Sequence, residues 1–306
     1  MQDPILDRLD QLRADKSGAT VLGELAINIV ERFVAEQHPQ EPSEFSAALE
    51  TLLSEVVSAQ PSMAVMLDLA QRVLLAIRDD SPLSMMKQQA QQALVEFRLA
   101  LRRSTEAVCE QALNILPSHA TVLTYSNSAT VAAALGHAHA HGHLDRVLLS
   151  EARPAYDGRS LARTLAEAGV TIEYSVDMGL FAGLAEADLV VLGADAIFPT
   201  YFLNKIGTHA LAQLAQVRGV PCFTLCATNK FLPAEASRLL HILTHRAEEV
   251  WPEATPGVRV HNRYFEEIPL SLLRGVVSDR GVHTHEAVRL MLQQASLPPA
   301  LQRLNI

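Results

Sequence analysis

The second half of the chain alternates short apolar runs with longer stretches of helical period, and this alternation constrains the fold more than any other feature. Apolar or β-branched runs predict five buried strands, at 121–125, 146–150, 171–176, 189–193 and 222–227. Helices are predicted between them, at 129–140, 158–168 and 205–218. Strands joined by crossover helices form a right-handed parallel sheet, so we expect ligands beyond the carboxyl ends of these strands.

The first 118 residues have a helical texture instead. Apolar side chains recur every three or four positions, as in Leu22, Leu25 and Ile29. Further helices are predicted at 43–58, 63–77 and 84–116, with Pro39, Pro42, Pro61 and Pro82 at the breaks. The sequence therefore predicts an α/β protein with an N-terminal helical domain at 1–118 and a C-terminal parallel α/β domain at 119–306.

Composition excludes several classes of protein. With 306 residues, of which 49% are hydrophobic and 19% charged, the chain can bury a large core and is not a disordered protein. Its formal net charge of −9 argues against a general nucleic-acid binder, which needs a basic surface. The charge is compatible with small anionic ligands, because local sites bind these.

Cysteine use and hydropathy indicate a compartment. Cys109, Cys222 and Cys226 form neither an even disulfide set nor a CxxC pair, which favours a reducing environment. We find no apolar leader and no run of about 18 apolar residues that could span a membrane. We therefore expect a cytoplasmic protein with no membrane contact.

The loop after the first predicted strand carries polar residues that open a helix. Ser126, Asn127 and Ser128 form a turn that offers backbone N–H groups to a phosphate or carboxylate. The alternative is that Asn127 or Ser128 simply caps the helix, which is the common use of these residues.

The loop after the second strand carries Glu151 and Arg153. An arginine at a strand end is placed to bind a phosphate through two N–H groups, and Glu151 could orient it or accept a hydrogen bond from a hydroxyl. A surface ion pair is the alternative.

The fourth strand ends in the best candidate for a general acid or base. Asp195 follows a wholly apolar run, where burial raises a carboxyl pKa, although a helix cap is the alternative. Asn204 and Lys205 follow, and Lys205 is predicted to open a helix. Because the helix dipole disfavours a cation there, an anionic partner would explain this lysine.

Two other patterns are weaker. His137, His139, His141 and His143 alternate with a spacing that could bind zinc or nickel, but a solvated helix end explains them better, and we predict no metal site. Cys222 and Cys226 lie on one face of a strand, too far apart for a disulfide, and are expected in the core.

These segments together resemble one known family, the alpha, beta and delta subunits of translation initiation factor 2B. That family also contains ribose-1,5-bisphosphate isomerase and methylthioribose-1-phosphate isomerase. The matching segments are LTYSNS at 123–128, EARP at 151–154, GR at 158–159, GADAI at 193–197, NKIGT at 204–208 and KF at 230–231, with weaker matches in SGA at 17–19 and QPSMA at 60–64. Their order and spacing agree along nearly the whole chain.

The resemblance implies a helical N-terminal domain, a Rossmann-like C-terminal domain, a ligand pocket between them, and dimers or larger homo-oligomers. Isomerase members use a cysteine and an aspartate to move protons. The aspartate corresponds to Asp195 and the cysteine to Ser126, so these are the candidate catalytic residues. The candidate ligand-binding residues are Gly18, Ala19, Asn127, Ser128, Glu151, Arg153, Asn204 and Lys205, and no cofactor is implied.

Four positions depart from the family pattern. Ser126 replaces the cysteine, and a serine hydroxyl is a poor base without an activating neighbour. Tyr125 replaces a histidine common at this point. Gln60 and Ser17 stand where arginines that contact phosphate are common, so a bisphosphate would be held less well.

Three hypotheses follow. The first is a protein that binds a phosphorylated sugar or nucleotide without chemistry. The second is a divergent aldose–ketose isomerase in which Asp195 remains the acid and another group, conceivably Cys226, replaces the thiol. The third is a scaffold protein with a vestigial pocket. We take the first as the main prediction.

Overall fold

Five helices form the N-terminal part of the protein, as the apolar periodicity predicts. The computed structural model describes residues 4–37, 39, 41–78, 80–304 and 306. The helices are α1 (Pro4–Ala14), α2 (Ala19–Glu36), α3 (Pro42–Ala59), α4 (Ala64–Ala76) and α5 (Leu83–Ala112). The ends of α3 and α4 lie within one residue of those predicted, whereas α5 ends at Ala112 and not at residue 116.

The rest of the chain alternates strands and helices. The elements are β1 (Ala120–Thr124), α6 (Ala129–Ala140), β2 (Leu144–Ser150), α7 (Gly158–Glu167), β3 (Thr171–Ser175), α8 (Asp177–Gly183), β4 (Leu189–Leu192), β5 (Ala196–Ile197), β6 (Tyr201–Lys205), α9 (Thr208–Arg218), β7 (Cys222–Leu225), β8 (Phe265–Pro269), β9 (Gly275–Ser278), β10 (Gly281–His283) and α10 (His285–Gln293). The five predicted strands are confirmed, with ends that differ by at most two residues.

The main sheet has seven strands in the order β10-β9-β7-β4-β1-β2-β3. All neighbours are parallel except β10, which pairs antiparallel with β9. Chain order reverses between β1 and β4, as in doubly wound folds, and ligands bind such folds outside the carboxyl ends of the strands at this point. The fold is therefore the α/β class predicted, with its crevice between the ends of β1 and β4.

A second sheet, β5-β6-β8, is antiparallel and was not expected from the sequence. Its strand β6 ends at Lys205, which pairs with Phe265 of β8. The prediction that Lys205 opens a helix is therefore wrong. Helix α9 begins at Thr208, after Gly207 turns the chain with a φ of 98°. The N–H groups of Gly207 and His209 both donate to Glu266, 2.8 Å away, so a carboxylate from β8 already caps this helix.

The core of the helical part is completed by side chains from the second half of the chain. Phe198, Leu203 and Leu301 are buried in one cluster with α2, α3 and α4. Helix α5 contributes to this cluster through Phe97 and, further along, to the sheet core through Val108. The two halves are therefore packed together, and the domain boundary that we propose after residue 118 lies in the turn between α5 and β1.

The described residues offer neither a membrane-spanning helix nor a metal-binding cluster. None of their helices has both the length and the apolarity that crossing a bilayer requires. No three His, Cys, Asp or Glu side chains among them form a group that could hold a metal ion. In the histidine run, His137 lies 3.2 Å from Glu110 and packs against the ring of His141.

Candidate functional site

A cavity lies where the N-terminus of α2 faces the carboxyl ends of β1 and β4. It encloses about 620 Å³, including its open mouth. The described residues that line it are 16–20, 63, 126–130, 155, 157, 193–195, 204–205, 230 and 264–265. This is the crevice that the reversal of strand order predicts.

Two helix N-termini meet in the cavity wall. Helix α2 starts after Gly18, which has no side chain to cap it, and α6 starts after Ser128, whose hydroxyl accepts a hydrogen bond from Val131 N at 3.4 Å. A Cβ atom on Gly18 would lie 3.7 Å from the carbonyl oxygen of Asn127, so the two turns are adjacent. N–H groups in the first turn of a helix have no partner within the helix, and they favour an anion. Ser128 thus caps α6, while it and Asn127 also line the cavity.

Close packing between β4 and α6 depends on Gly193. A Cβ atom at this position would lie 2.8 Å from the Cβ and 2.9 Å from the Oγ of Ser128, which is closer than real Cβ contacts. Glycine therefore allows the end of β4 to approach the start of α6 and so brings Asp195 to the cavity.

Ser126 has an unusual backbone conformation. Its φ is 67°, in the left-handed region that residues other than glycine rarely adopt, and the residue is buried. Its hydroxyl lies 3.4 Å from a carboxylate oxygen of Asp157. Strained residues of this kind concentrate at functional sites because the surrounding structure must hold them there. The neighbouring Tyr125 points its hydroxyl elsewhere and donates to Ile206 O at 2.8 Å.

Asp157 and Lys205 form an ion pair in the cavity. The Lys205 ammonium donates to Asp157 Oδ2 and also lies 4.8 Å from the ring centroid of Tyr264. Lys205 is only 4% exposed, so this charge is taken out of bulk water and depends on its partner. Asp157 was not predicted from the sequence as a site residue. The sequence feature that could have pointed to it is its position between the matching segments at 151–154 and 158–159.

Asp195 lies in the lining, with its backbone N–H donating to Leu203 O of β6 at 2.9 Å. Burial raises the pKa of Asp195 to about 6, against the lowering effects of Lys230 and Lys205, while Asp157 adds a further raising effect. Part of the residue remains open to the cavity. A carboxyl group with this pKa can both hold and release a proton near neutral pH.

The other predicted residues of this region also lie in the lining. Asn204 is buried and donates to Thr208 Oγ1 at 3.1 Å. Lys230, which the sequence analysis noted only as part of a matching segment, donates to Ala194 O at 2.6 Å. Gly18 and Ala19 contribute backbone from the start of α2.

Arg153 and Glu151 lie outside the lining. The guanidinium of Arg153 donates to the Tyr156 hydroxyl and, at 3.1 Å, to Val250 O. Asp177 fixes this loop, since its carboxylate accepts from the N–H groups of Ala152 and Arg153, each at 2.8 Å. The structure therefore does not bring these two predicted residues together with the other site residues.

Lys16 also lies in the lining, and no sequence pattern pointed to it. Its ammonium donates to Glu249 at 2.6 Å. Glu249 also accepts from Asn262 at 2.9 Å and from the Tyr264 hydroxyl. Burial alone would raise the pKa of Glu249, but the hydrogen bonds from Lys16, Tyr264 and Asn262 lower it to about 2.

Gln60 has a structural contact where related proteins are expected to have a phosphate-binding arginine. Its amide donates to Leu12 O at 2.6 Å and to Asp15 O at 3.0 Å. These bonds hold the turn between α1 and α2, which carries Lys16 and Gly18 into the cavity wall.

Cys222 and Cys226 are buried, as predicted, and Cys109 is buried as well. Burial raises the pKa of the Cys222 and Cys226 thiols to about 12 and that of Cys109 to about 11. None of the three lines the cavity. A thiolate at neutral pH is therefore not available from them.

Comparison with known proteins is consistent with this architecture. The model of the initiation factor 2 subunit family matches residues 15–285. A ribose 1,5-bisphosphate isomerase of Methanocaldococcus jannaschii is 26% identical over 87% of this chain and 86% of its own. Among solved structures, a translation initiation factor eIF-2B of Pyrococcus horikoshii superposes with a TM-score of 0.81 at 23% identity, over 93% of this chain and 98% of its own. A 5-methylthioribose 1-phosphate isomerase of the same organism gives a TM-score of 0.75 at 21% identity, over 94% and 86%.

Proposed function

Because the chain belongs to the initiation factor 2 subunit family, we propose that its cavity binds a phosphorylated sugar or nucleotide. We propose further that it does not carry out the thiol-dependent isomerisation of the family's enzymes. The observation that carries the proposal is the cavity itself. It combines two adjacent helix N-termini with Lys16, Lys205 and Lys230. Backbone N–H groups and ammonium groups are the donors that bind phosphate in proteins.

The missing thiol supports the second part of the proposal. The resemblance implies that Ser126 corresponds to the family cysteine. The carboxylate 3.4 Å from its hydroxyl belongs to Asp157, which already holds the Lys205 ammonium. The Asp157 carboxylate thus accepts from Lys205 at closer range than from the serine hydroxyl, and a serine hydroxyl is a poor nucleophile or base without an activating neighbour. Cys226 is no substitute, because its buried thiol has a pKa of about 12 and lies outside the lining.

Ligand-dependent unfolding tests the binding. The protein is titrated with ribose 5-phosphate and with adenosine monophosphate, with ribose and adenosine as matched controls without phosphate. A ligand present at 100 times its Kd stabilises the fold by about 2.7 kcal/mol, which a thermal melt detects. If no phosphorylated compound raises the Tm, the binding proposal fails and a scaffold with a vestigial pocket becomes the better explanation.

A divergent aldose–ketose isomerase is the second candidate function, and the environment of Asp195 favours it. The carboxyl has a pKa of about 6 and lies in the same cavity as the candidate phosphate donors. Proton exchange in deuterated water separates the two functions. We expect no isomerase-like turnover of ribose 1,5-bisphosphate or methylthioribose 1-phosphate. Turnover that vanishes in Asp195→Asn would establish the enzyme and overturn the first proposal.

We also propose that the chain forms a homodimer or larger homo-oligomer. A neighbour among the solved structures supports this, since it is a subunit of a tetrameric eIF2B-beta2-delta2 complex from C. thermophilum. Light scattering coupled to gel filtration gives the mass directly. A particle of one chain at micromolar concentration would contradict the proposal.

A further inference from the structure

Asp157 places a negative charge among the groups that would otherwise attract phosphate. Its carboxylate accepts hydrogen bonds from Lys205 and, at the longer distance of 3.4 Å, from Ser126. Asp195 lies close enough for the two carboxylates to influence each other. Both acids follow carboxyl ends of the sheet, so one side of the cavity carries two hydrogen-bond acceptors with negative charge.

The cations of the lining already have partners. Lys205 is paired with Asp157, Lys16 with Glu249, and Lys230 donates to Ala194 O. Glu249, which pairs with Lys16, adds a third carboxylate to the three lysines and two aspartates of the described lining, so the charges sum to zero when all three acids are ionised. One phosphate group can bind at the helix N-termini of α2 and α6, but a second phosphate meets no net positive charge among the described lining residues and their partners.

We infer that Asp157 is a specificity-determining residue, which restricts the cavity to ligands with one phosphate and several hydroxyl groups and rejects bisphosphates. The inference rests on the proposed function and deepens it by naming the ligand class. An ionised carboxylate only accepts hydrogen bonds, so sugar hydroxyls satisfy Asp157 and Asp195. A second phosphate has no proton to donate to the Asp157 or Asp195 carboxylate at neutral pH. It is repelled by their negative charge in a partly buried site.

The unmodified protein gives the first test. Calorimetry at pH 7.5 compares three probes built on one sugar: ribose 1-phosphate, ribose 5-phosphate and ribose 1,5-bisphosphate. We expect the better monophosphate to bind at least tenfold more tightly than the bisphosphate. Equal or tighter binding of the bisphosphate would overturn the inference and leave the proposed function intact. If none of the three ribose phosphates binds, both the inference and the proposed function are wrong for these ligands.

Two matched variants then assign the effect to one residue. Asp157→Asn and Glu249→Gln each neutralise a carboxylate that is paired with a cavity lysine and keep its size. We expect Asp157→Asn to reduce the preference for the monophosphate at least fivefold, because it frees Lys205 beside the second phosphate. Glu249→Gln should tighten both ligands alike and leave the preference unchanged.

The outcomes are distinct. An unchanged preference in a folded Asp157→Asn, or an equal change in both variants, would contradict the role of Asp157. If Asp157→Asn does not fold, Asp157→Ser is the second variant: it removes the carboxylate, keeps the Lys205 cation and leaves room for water beside the ammonium, and it should also lose the discrimination against bisphosphate. Retained discrimination there would equally overturn the inference.

Discussion

Lys205, the last residue of β6, donates a hydrogen bond to Asp157, which lies 48 residues earlier in the chain in the loop after β2. This contact joins the antiparallel sheet to the carboxyl end of the parallel sheet. Because Lys205 is nearly inaccessible to solvent, removal of either partner leaves a buried charge without compensation. The pair therefore decides both the electrostatics of the cavity and the position of the Asp157 carboxylate.

We expect Lys205→Ala to weaken monophosphate binding by about 1.5 to 3 kcal/mol, the range for hydrogen bonds to charged groups. The variant removes a cation and leaves Asp157 as an uncompensated negative charge. Arg153→Ala is the control variant, because the Arg153 guanidinium donates to the Tyr156 hydroxyl and to Val250 O. It should change affinity by less than about 0.5 kcal/mol, as surface substitutions do. Calorimetry measures both, with circular dichroism to confirm folding. Equal losses of monophosphate affinity in the two variants would show that Arg153 belongs to the binding site.

Stability should depend on the protonation of Asp195. The folded-state pKa is about 6 and the ordinary value is 3.8, so the native protein binds this proton more tightly than the unfolded chain. The contribution of Asp195 to stability is therefore greatest below pH 3.8 and is lost as the pH rises through about 6. We expect Asp195→Asn to be more stable than wild type by roughly 1 to 3 kcal/mol at pH 7.5, and the gap to narrow toward pH 5.

Urea unfolding of both proteins at pH 5, 6 and 7.5 measures this difference. Subtraction of the two series isolates residue 195 from other titrating groups. A gap that is constant or grows toward low pH would show that the carboxyl group is not destabilised by burial in the native state.

Gly193→Ala should damage the cavity. The new methyl group would lie 2.8 Å from Ser128 Cβ, so the end of β4 and the start of α6 must separate. Overpacking of this kind costs about 1 to 3 kcal/mol of stability, and we expect phosphate binding to fall with it. Gly136→Ala in α6 is the control, because its nearest neighbour would be 4.0 Å away. That variant should gain roughly 0.5 to 1 kcal/mol. A harmless Gly193→Ala would mean that this contact does not shape the site.

The three thiols should be inert in the native protein. Their pKa values, raised by burial to about 11 or 12, leave essentially no thiolate at pH 8. A thiol reagent such as dithionitrobenzoate should therefore react with native protein at least a hundredfold more slowly than with protein in denaturant. Rapid reaction of Cys226 without denaturant would restore this residue as a candidate replacement for the family thiol.

Much of the site could be predicted because its residues follow strands. The strand runs were visible as apolar segments, and parallel strands place their carboxyl ends at one edge. Ser126, Asn127, Ser128 and Asp195 therefore lie in the lining where the sequence analysis expected them. Arg153 also follows a strand, but its guanidinium donates to the Tyr156 hydroxyl and to Val250 O outside the lining, and no local pattern predicted these contacts.

The elements with a local period could be predicted from the amino-acid sequence alone. They are the helices of the first half, the five parallel strands and the hydroxyl-rich turn at α6. These depend on neighbouring residues, so composition and spacing carry the signal. Three features depend instead on the three-dimensional packing: Lys205 ends a strand, Asp157 is its partner, and Glu249 holds Lys16. Each of these contacts joins residues far apart in the chain, where pairing depends on how whole sheets and loops pack and not on any pattern within one segment.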